Sequence, residues 1–394
     1  MDKLNLIATC MFGLEKLLGE EIDGLGLHRV MTMDGRVQFE GTALDVCRAN
    51  LWLRTAERVY VLAGEPYEAH TFDELFEGCK ALPWETFLPE DAAFPVSGHA
   101  IKSQLTSVPD CQKILKKAMA TRLGGVYGRS QLPETGAKYP IEFFLFKDTA
   151  YLMIDTSGTA LHKRGYRPVA NAAPLRETLA AAICLTSRIR DDVLLWDPFC
   201  GSGTFTIEGA MIAANIAPGR NRSFGGEKFS FLPKHLWDSA RGEAADAERK
   251  DCPFRAKGTD IDPDCIRTAR ANAKRAGVLG YIDFEVADAT KLTKPEGVRG
   301  TFLCNPPYGE RMLSMQDAER LYRNMGKCFA AFDRWQMYIL TSCDYFEKLF
   351  GRKADKKRKL YNGTIPCLLY EFFKPVDSRK PGTPDRRPKE RGIK

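Results

Sequence analysis

The feature that most constrains the fold is a short apolar strand that runs directly into a glycine-rich turn. Residues 193–196 are apolar, residues 197–204 spell Asp-Pro-Phe-Cys-Gly-Ser-Gly-Thr, and residues 205–214 have a helical composition. The glycines let the backbone turn tightly and approach a ligand beside the positive amino end of a helix. Because parallel strands in α/β sheets bind ligands at their carboxyl ends, the pattern predicts an α/β sheet with a ligand site at this edge.

More strands follow at intervals long enough for a helix. The apolar patterning predicts a helix at 175–186 and strands at 258–261, 282–286, 300–304 and 336–340. Continuous apolar strands that alternate with helices indicate a mainly parallel sheet covered on both faces, here over residues 166–376. Residues 219–255 interrupt the alternation and are interpreted as an insertion.

The amino-terminal part of the chain has a different order of elements. Within residues 1–65 we expect three strands alternating with two helices, a small α/β unit; the strands are 4–9, 36–40 and 58–62, and the helices 14–25 and 43–53. Within residues 66–165 we expect helices at 75–82 and 110–123, a strand at 93–100, and a hairpin of two strands at 141–146 and 149–155. The second of these helices is basic and is a candidate phosphate contact through Lys113, Lys116, Lys117 and Arg122.

Length and composition limit the class of protein. The 394 residues allow two or three domains, and no apolar run approaches the roughly 18–20 residues that span a bilayer. The amino terminus lacks a secretory pattern, so we expect a cytoplasmic protein without a membrane partner. The 12 cysteines form no C-x-x-C pair and the 5 histidines have no metal-ligand spacing, so we expect reduced thiols and no metal.

The positive charge is concentrated in two segments. The net charge of +7 comprises +5 in residues 352–359, +5 in residues 374–394 and −3 in the rest. The second segment is rich in proline, and we expect a basic disordered tail over 377–394. Such runs are compatible with a solvated surface or with phosphate contacts to a nucleic acid. The basic residues of the first segment are Arg352, Lys353, Lys356, Lys357, Arg358 and Lys359.

The residues around the glycine-rich turn select among ligands. Thr206 stands where a dinucleotide pattern needs its third glycine, and the G-K-[ST] of a phosphate loop is absent. A carboxylate at Asp197 disfavours a pyrophosphate and suits a cationic or neutral ligand. The amino group and sulfonium of S-adenosylmethionine fit that description. The whole string resembles motif I of class I methyltransferases.

Acidic residues after the next two strands agree with this resemblance. Asp260 and Asp262 stand where a carboxylate can bind ribose, and Asp288 follows the next strand, where this fold contacts adenine. The gap of 63 residues from Asp197 to Asp260 exceeds the usual spacing of roughly 20, which the insertion explains. The candidate residues for the cofactor, whose product is S-adenosylhomocysteine, are Asp197, Pro198, Cys200, Gly201, Ser202, Gly203, Thr204, Asp260, Ile261, Asp262, Asp288, Ala289 and Asn305.

A candidate catalytic motif, Asn305-Pro306-Pro307-Tyr308, follows the strand predicted at 300–304. The lone pair of an exocyclic amine is delocalised into its base. Accepting its two N–H bonds at the Asn305 side-chain oxygen and the Pro306 carbonyl would localise that pair. Proline fixes the backbone, and Tyr308 could stack on an extruded base. The alternative is a rigid turn with an aromatic plug; the position within the predicted sheet favours catalysis.

Four strings narrow the resemblance: residues 161–167, 173–177, 305–311 and 361–363. With them the chain resembles the THUMP-domain RNA guanine-N2 methyltransferases, and in particular the amino-terminal half of bifunctional large-subunit rRNA methyltransferases in a single-activity form. The resemblance implies a ferredoxin-like segment at 1–65, a THUMP domain at 66–165 and a Rossmann-like class I methyltransferase domain at 166–376. It also makes Arg164 and Arg311 RNA-binding candidates.

The resemblance implies methyl transfer to the N2 amine of a guanosine in RNA, with 23S rRNA favoured over tRNA. A tRNA guanosine-N2 activity is the nearest alternative, and a DNA adenine-N6 methyltransferase is a second, because the same four-residue motif serves adenine. A binding protein without catalysis is a third. The sequence indicates no obligate protein partner.

Overall fold

The computed structural model describes residues 3–168, 175–307 and 314–374. In the amino-terminal half the strands are β1 (Leu4–Cys10), β2 (His28–Met33), β3 (Arg36–Gly41), β4 (Ala56–Leu62), β5 (Tyr67–Glu68), β6 (Val96–Ile101), β7 (Ile141–Phe146) and β8 (Thr149–Asp155). The helices of this half are α1 (Glu15–Gly24), α2 (Ala43–Trp52), α3 (Phe72–Ala81) and α4 (Val108–Tyr127).

The carboxyl-terminal half alternates strands and helices. Its helices are α5 (Glu177–Ser187), α6 (Thr204–Ala213), α7 (Lys234–Asp246), α8 (Pro263–Ala276), α9 (Met315–Phe329) and α10 (Phe346–Phe350). Its strands are β9 (Leu194–Asp197), β10 (Ala256–Asp260), β11 (Ile282–Val286), β12 (Gly300–Cys304), β13 (Gln336–Thr341), β14 (Lys356–Asn362) and β15 (Ile365–Phe372).

The two predicted amino-terminal units share one sheet. Its strand order is β2-β3-β1-β4-β8-β7-β6, with β5 paired to β8, and the β4–β8 pairing joins Tyr60 to Asp155. The inner face of β1, with Leu6 and Ala8, packs in one core with the buried residues of helices α1–α4. On the other face the Arg36 guanidinium lies 3.4 Å from the centre of the Phe144 ring. A contact between strands so far apart in the order requires a strongly curled sheet.

The second sheet has the order β11-β10-β9-β12-β13-β15-β14. The five predicted strands pair in parallel, which confirms the doubly wound sheet. The terminal hairpin of β14 and β15 was not predicted and pairs antiparallel to β13. The basic run 352–359 therefore leads into an edge strand, and its charged residues conceal the alternation that would have marked it.

The insertion fastens the two halves together. Helix α7, inside the predicted insertion 219–255, packs on α2, where the Arg48 guanidinium bonds the Glu243 carboxylate at 2.7 and 2.8 Å. Arg54 of the amino-terminal half donates to the Ile216 carbonyl at 2.8 Å. Because both halves also contribute to one hydrophobic core, the catalytic sheet is held against the amino-terminal region.

Helix α9 is pressed against the end of α10 at Gly326. A β-carbon at this position would lie 2.0 Å from the Phe350 carbonyl oxygen, while one at Gly242 of α7 would meet no atom within 4 Å. We expect Gly326→Ala to lower the free energy of unfolding by about 1–3 kcal/mol, because the two backbones must separate. Gly242→Ala should raise it by about 0.5–1 kcal/mol, since alanine favours a helix.

Thermal and urea unfolding of the two variants measure this difference. Equal stability of Gly326→Ala and the unmodified chain would contradict the close packing of α9 on α10.

Candidate active site

The glycine-rich turn lies where the sequence predicts it, between the end of β9 and the start of α6. Gly203 has a φ of +83°, a conformation that favours glycine, and a β-carbon there would lie 3.1 Å from Ala269. Three bonds attach the turn to its neighbours: Cys200 N donates to Thr259 O at 2.9 Å, Gly201 N to the Asp260 carboxylate at 2.8 Å, and the Asn272 amide to Ser202 O at 3.0 Å. The turn is thus fixed from both β10 and α8.

Asp197 is the buried acid of the site. Its carboxylate accepts a hydrogen bond from Phe199 N at 3.0 Å, and the described residues place no basic group in hydrogen-bonding contact with it. Burial, with a smaller effect of the nearby Asp260 charge, raises the pKa of Asp197 well above its usual range. A buried acid of this kind suits a cationic ligand, which would favour its ionised form.

Asp260 shapes the turn, because each of its carboxylate oxygens accepts a backbone N–H, from Gly201 and from Asp262 at 3.0 Å. Asp262 caps α8 by accepting a bond from Asp264 N at 2.8 Å. Between them the Ile261 side chain is 71% exposed, a flat apolar surface at the open edge of the sheet. Residues 260–262 therefore present an apolar side chain and an exposed carboxylate outward.

Asp288 follows β11, the strand beside β10, and lies at the same edge of the sheet as residues 260–262. It accepts hydrogen bonds from the Thr290 amide at 2.9 Å and hydroxyl at 2.7 Å, and the hydroxyl bond contributes most to lowering the pKa of its carboxyl. Its neighbour Ala289 is buried. Asp288 is consequently an ionised acceptor at neutral pH.

The sheet register brings the catalytic candidates beside the turn. Strands β9 and β12 are parallel neighbours, with Trp196 opposite Phe302, so Asp197 and Asn305 emerge at the same edge. The Asn305 side-chain oxygen is buried and has no hydrogen-bond partner among the residues that the structure describes. A buried acceptor without a partner is costly, and it fits a site that receives a donor from a ligand.

Tyr322 of α9 holds the backbone after Asn305, a role that the sequence alone did not indicate. Its hydroxyl donates to the Pro307 carbonyl at 3.0 Å and lies 3.0 Å from the Thr341 hydroxyl. Burial raises the pKa of Tyr322 to about 12, so it stays protonated as a donor. Pro306 is buried beside Asn305. Tyr308 and Arg311 lie outside the described residues.

Arg167 was also missed as a site residue, although it ends the string 161–167. Its guanidinium bonds the Glu177 carboxylate at 2.8 Å and donates to the Thr204 hydroxyl and the Leu175 carbonyl, both at 3.2 Å. Thr204 is the first residue of α6, so a residue near the start of the catalytic domain fixes the end of the glycine-rich turn. Burial raises the pKa of Glu177, against the opposing effect of Arg167.

The prediction that Arg164 contacts RNA is wrong. The residue is only 2% exposed and donates to the carbonyls of Leu161 and Arg54, with Glu208 3.5 Å away. Its guanidinium is buried between the two halves of the protein, where these hydrogen bonds use its terminal N–H groups. The sequence shows the charge of such an arginine but not its burial.

The basic helix α4 is only partly available for RNA. Lys116 pairs with Glu134 at 2.6 Å and lies over Phe94, and Arg122 pairs with Glu85. Lys113 and Lys117 are exposed, and Lys113 has only a 3.7 Å contact with Asp110. These two lysines remain the candidates on this helix.

Strand geometry divides the other basic cluster. Because side chains alternate along β14, Lys357 and Lys359 point to one face and Lys356 and Arg358 to the other. Lys357 pairs with Glu347 at 2.9 Å and Arg358 with Glu371. Arg352, before the strand, donates to Lys374 O at 2.8 Å, and Lys353 also interacts within the protein. One nucleic-acid strand cannot follow all six residues.

The fold and the site define a class I methyltransferase domain behind an RNA-binding type of amino-terminal region. Family models match the RlmL ferredoxin-like domain at 5–60, the THUMP domain at 69–155 and the RMKL-like methyltransferase domain at 164–371. The chain belongs to the RMKL-like family of THUMP-containing RNA methyltransferases.

Individual relatives agree with this assignment. The chain is 44% identical to YpsC of Bacillus subtilis, named as an RNA methyltransferase, over 97% of this chain and 99% of that protein. It is 36% identical to the ribosomal RNA large subunit methyltransferase K/L of Psychromonas ingrahamii, over 96% of this chain and 52% of the other. This chain therefore spans about half the length of the K/L proteins.

Solved structures show the same architecture. SMU.472, a methyltransferase-like protein crystallised with SAH, is 42% identical with a TM-score of 0.88, over 95% of this chain and 98% of that one. A Listeria monocytogenes protein described as an N6-adenine-specific DNA methylase is 45% identical with a TM-score of 0.90, over 95% and 97%. TrmN of Thermus thermophilus, at 19% identity, shares the fold with a TM-score of 0.66, over 93% and 98%.

No helix within 3–168, 175–307 and 314–374 is long and apolar enough to cross a membrane. The same residues contain no group of three or more His, Cys, Asp or Glu side chains placed to hold a metal ion.

The bonds of Arg167 generate a prediction about the turn. We expect Arg167→Ala to speed hydrogen exchange of the amides in residues 200–204, because α6 loses its attachment at Thr204 and Glu177 is left without its partner. Arg167→Lys should give an intermediate rate, since lysine keeps the charge but cannot make the forked contact.

Mass-spectrometric hydrogen exchange on the full chain measures these rates. Arg129→Ala is the control, since this exposed arginine pairs only with Glu90 at the surface. An unchanged rate in Arg167→Ala would mean that the turn is held by β10 and α8 alone.

Proposed function

We propose that this protein transfers a methyl group from S-adenosylmethionine to the N2 amine of a guanosine in RNA, with 23S rRNA as the favoured substrate. The observation that carries the proposal is the buried Asn305 side-chain oxygen, which has no partner within the described ranges 3–168, 175–307 and 314–374 and stands at the same sheet edge as the glycine-rich turn. An exocyclic amine is a donor that would satisfy it.

The residues of the site fit the cofactor. Asp197 offers a buried acid for a cationic ligand, and Gly201 leaves open space where a side chain would stand, since a β-carbon there would meet no atom within 4 Å. The exposed Ile261 provides an apolar surface for a flat ring, and the Asp262 carboxylate is available to hydroxyl groups. When bound, S-adenosylmethionine supplies the methyl group on a positively charged sulfur.

Asn305 and Pro306 prepare the amine for methylation. If both N–H bonds are accepted by the Asn305 oxygen and the Pro306 carbonyl, the nitrogen lone pair is localised and directed at the methyl carbon. Tyr322 holds the following carbonyl of Pro307 and so prevents the peptide from rotating. As the N–C bond forms and the S–C bond breaks, the nitrogen becomes positively charged. Its proton is then acidic and passes to water, so no strong base is required.

Support for RNA as the substrate comes from the amino-terminal half. A THUMP domain precedes the catalytic domain, and the full-length relative YpsC carries an RNA methyltransferase name. The K/L relatives have rRNA in their names, but this chain covers about half of each. The preference for rRNA over tRNA and for guanine N2 is accordingly part of the proposal.

A DNA adenine-N6 activity is the second candidate, favoured by the description of the Listeria relative. Radiolabelled methyl transfer to protein-free 23S rRNA, tRNA and duplex DNA separates the candidates, and nuclease digestion with mass spectrometry identifies the methylated base. We expect N2-methylguanosine from rRNA. Label found only in tRNA or only as N6-methyladenine would replace the proposal with the corresponding alternative.

The catalytic role of Asn305 can be tested by substitution. We expect Asn305→Ala to lower kcat by about 100- to 1,000-fold, because the amine loses an acceptor in the transition state, while cofactor affinity changes little. Tyr322→Phe should lower kcat by about ten-fold through the freed Pro307 carbonyl.

Single-turnover methylation and calorimetric cofactor binding separate the two effects. Tyr281→Phe, at the opposite end of the sheet, is the control for Tyr322. Full activity of Asn305→Ala would remove the basis of the proposed mechanism.

The raised pKa of Asp197 predicts that cofactor binding depends on pH. A bound cation favours the carboxylate, so the pKa of Asp197 falls on binding and a proton is released. Affinity should therefore rise with pH until the pH exceeds the pKa of the free enzyme, and become flat above it. Asp197→Asn should bind more weakly and without this dependence.

Calorimetry in two buffers of different ionisation enthalpy counts the released protons. Asp288→Asn is the control, because the pKa of Asp288 is lowered and that group is already ionised at neutral pH. No proton release in the unmodified enzyme would show that Asp197 does not sense the cofactor charge.

A further inference from the structure

An exposed phenylalanine stands on the loop between β1 and α1. The Phe12 side chain is 60% exposed, whereas Leu14 beside it is buried and Met11 packs against the core. A single exposed apolar side chain is ordinary. Phe12 differs from an ordinary exposed side chain in two respects: hydrogen bonds anchor its loop, and the loop lies against the catalytic domain.

The loop is anchored on both sides of the ring. The Glu15 carboxylate accepts hydrogen bonds from Gly13 N and Gly35 N, both at 2.9 Å. Gly35 has a φ of +73°, and a β-carbon there would lie 3.3 Å from the Phe12 ring. One edge of the ring therefore rests on the β2–β3 turn while the rest faces solvent, so its position is fixed before any partner binds.

The loop also touches the catalytic domain. A β-carbon on Gly13 would lie 3.3 Å from the Lys359 carbonyl oxygen and 3.8 Å from the Leu360 side chain. Lys359 belongs to the edge strand β14, so the amino-terminal loop and the terminal hairpin form one continuous surface.

The sheet register places this surface near the catalytic residues. Cys304, the residue before Asn305, pairs with Ile339, and two residues further along β13 Thr341 pairs with Leu368, which in turn pairs with Lys359. Three strand spacings separate the two positions, or roughly 14 Å along the edge at which the parallel strands end. That is a distance of a few nucleotides along an extended RNA strand.

The charge beside the loop suits RNA. Lys359 is exposed, has no ion-pair partner among the described residues, and its ammonium lies 5.6 Å from the centre of the Tyr361 ring. A cation next to aromatic rings is the combination with which proteins hold unpaired nucleotides: phosphates meet the charge and bases stack on the rings.

We propose that Phe12 is a stacking platform for an unpaired nucleotide flanking the target base, with Lys359 contacting the adjoining phosphate. The inference rests on the proposed RNA methyltransferase function and assigns part of its substrate specificity to the contact between the two halves. It predicts that the enzyme prefers a target next to single-stranded RNA, because a base inside a duplex cannot reach the ring.

The test measures binding of the full chain to a short single-stranded RNA and to its duplex by fluorescence anisotropy over a range of salt concentrations. Phe12→Ala should weaken single-strand binding by about ten-fold, consistent with the loss of one stacked base, without changing the salt dependence. Phe12→Trp should retain the affinity. Lys359→Ala should weaken binding and also reduce the slope of log affinity against log salt, by about 0.7.

Phe373→Ala is the matched control, an exposed phenylalanine (40%) at the far end of the same hairpin. Duplex affinity should be the same for Phe12→Ala and the unmodified chain. If Phe12→Ala binds single-stranded RNA with the same affinity as Phe373→Ala, the platform is refuted. Failure of the unmodified enzyme to methylate any RNA would refute the proposed function instead, and the binding result would still stand by itself.

Discussion

The buried ion pair between Arg167 and Glu177 holds the start of the catalytic domain against its glycine-rich turn. Arg167 lies near the beginning of this domain, Glu177 begins its first helix, and the same guanidinium reaches Thr204 at the end of the turn. Removing one member of such a pair leaves a buried charge without compensation. The position of the turn therefore depends on this pair.

A second layer of buried contacts continues from this pair. The Tyr166 hydroxyl donates to the Glu208 carboxylate at 3.0 Å, Arg164 lies against the same carboxylate, and Arg164 in turn donates to the backbone of Arg54. These bonds run from α6, which starts at the cofactor turn, to the amino-terminal half. They give a physical reason for a fixed relation between the amino-terminal half and the sheet edge that carries the glycine-rich turn.

Fewer basic side chains are available to a partner than the number of lysines and arginines in the sequence suggests. In the sequence, a run of six basic residues looks like one contact surface. Side chains alternate between the two faces of β14, however, and Lys357 and Arg358 form ion pairs with the carboxylates of Glu347 and Glu371. What remains near the catalytic edge is Lys359, next to the loop that carries Phe12. The position of a charge relative to the sheet decides its use, and its sign alone does not.

Much of the fold was predictable because its signals are local. Apolar strands followed by helices predicted the parallel sheet, and the string at 197–204 predicted the glycine-rich turn between β9 and α6. The edge strands β2 and β14 were not predicted, since β2 is exposed along most of its length and β14 is basic, so neither shows the apolar alternation of a half-buried strand. Helix α3 begins at Phe72, three residues before the predicted start at residue 75, because Thr71 and Glu74 form a capping box there.

The sequence by itself determined the class of fold, the order of its motifs and the chemistry that they can perform, because strand periodicity and glycine geometry act over a few residues. Only the tertiary structure decided that Arg164 is internal, that Tyr322 and Arg167 hold the site, and that the loop carrying Phe12 lies against Lys359. Those facts depend on contacts between residues far apart in the chain, and burial and partners arise only when the two halves pack together.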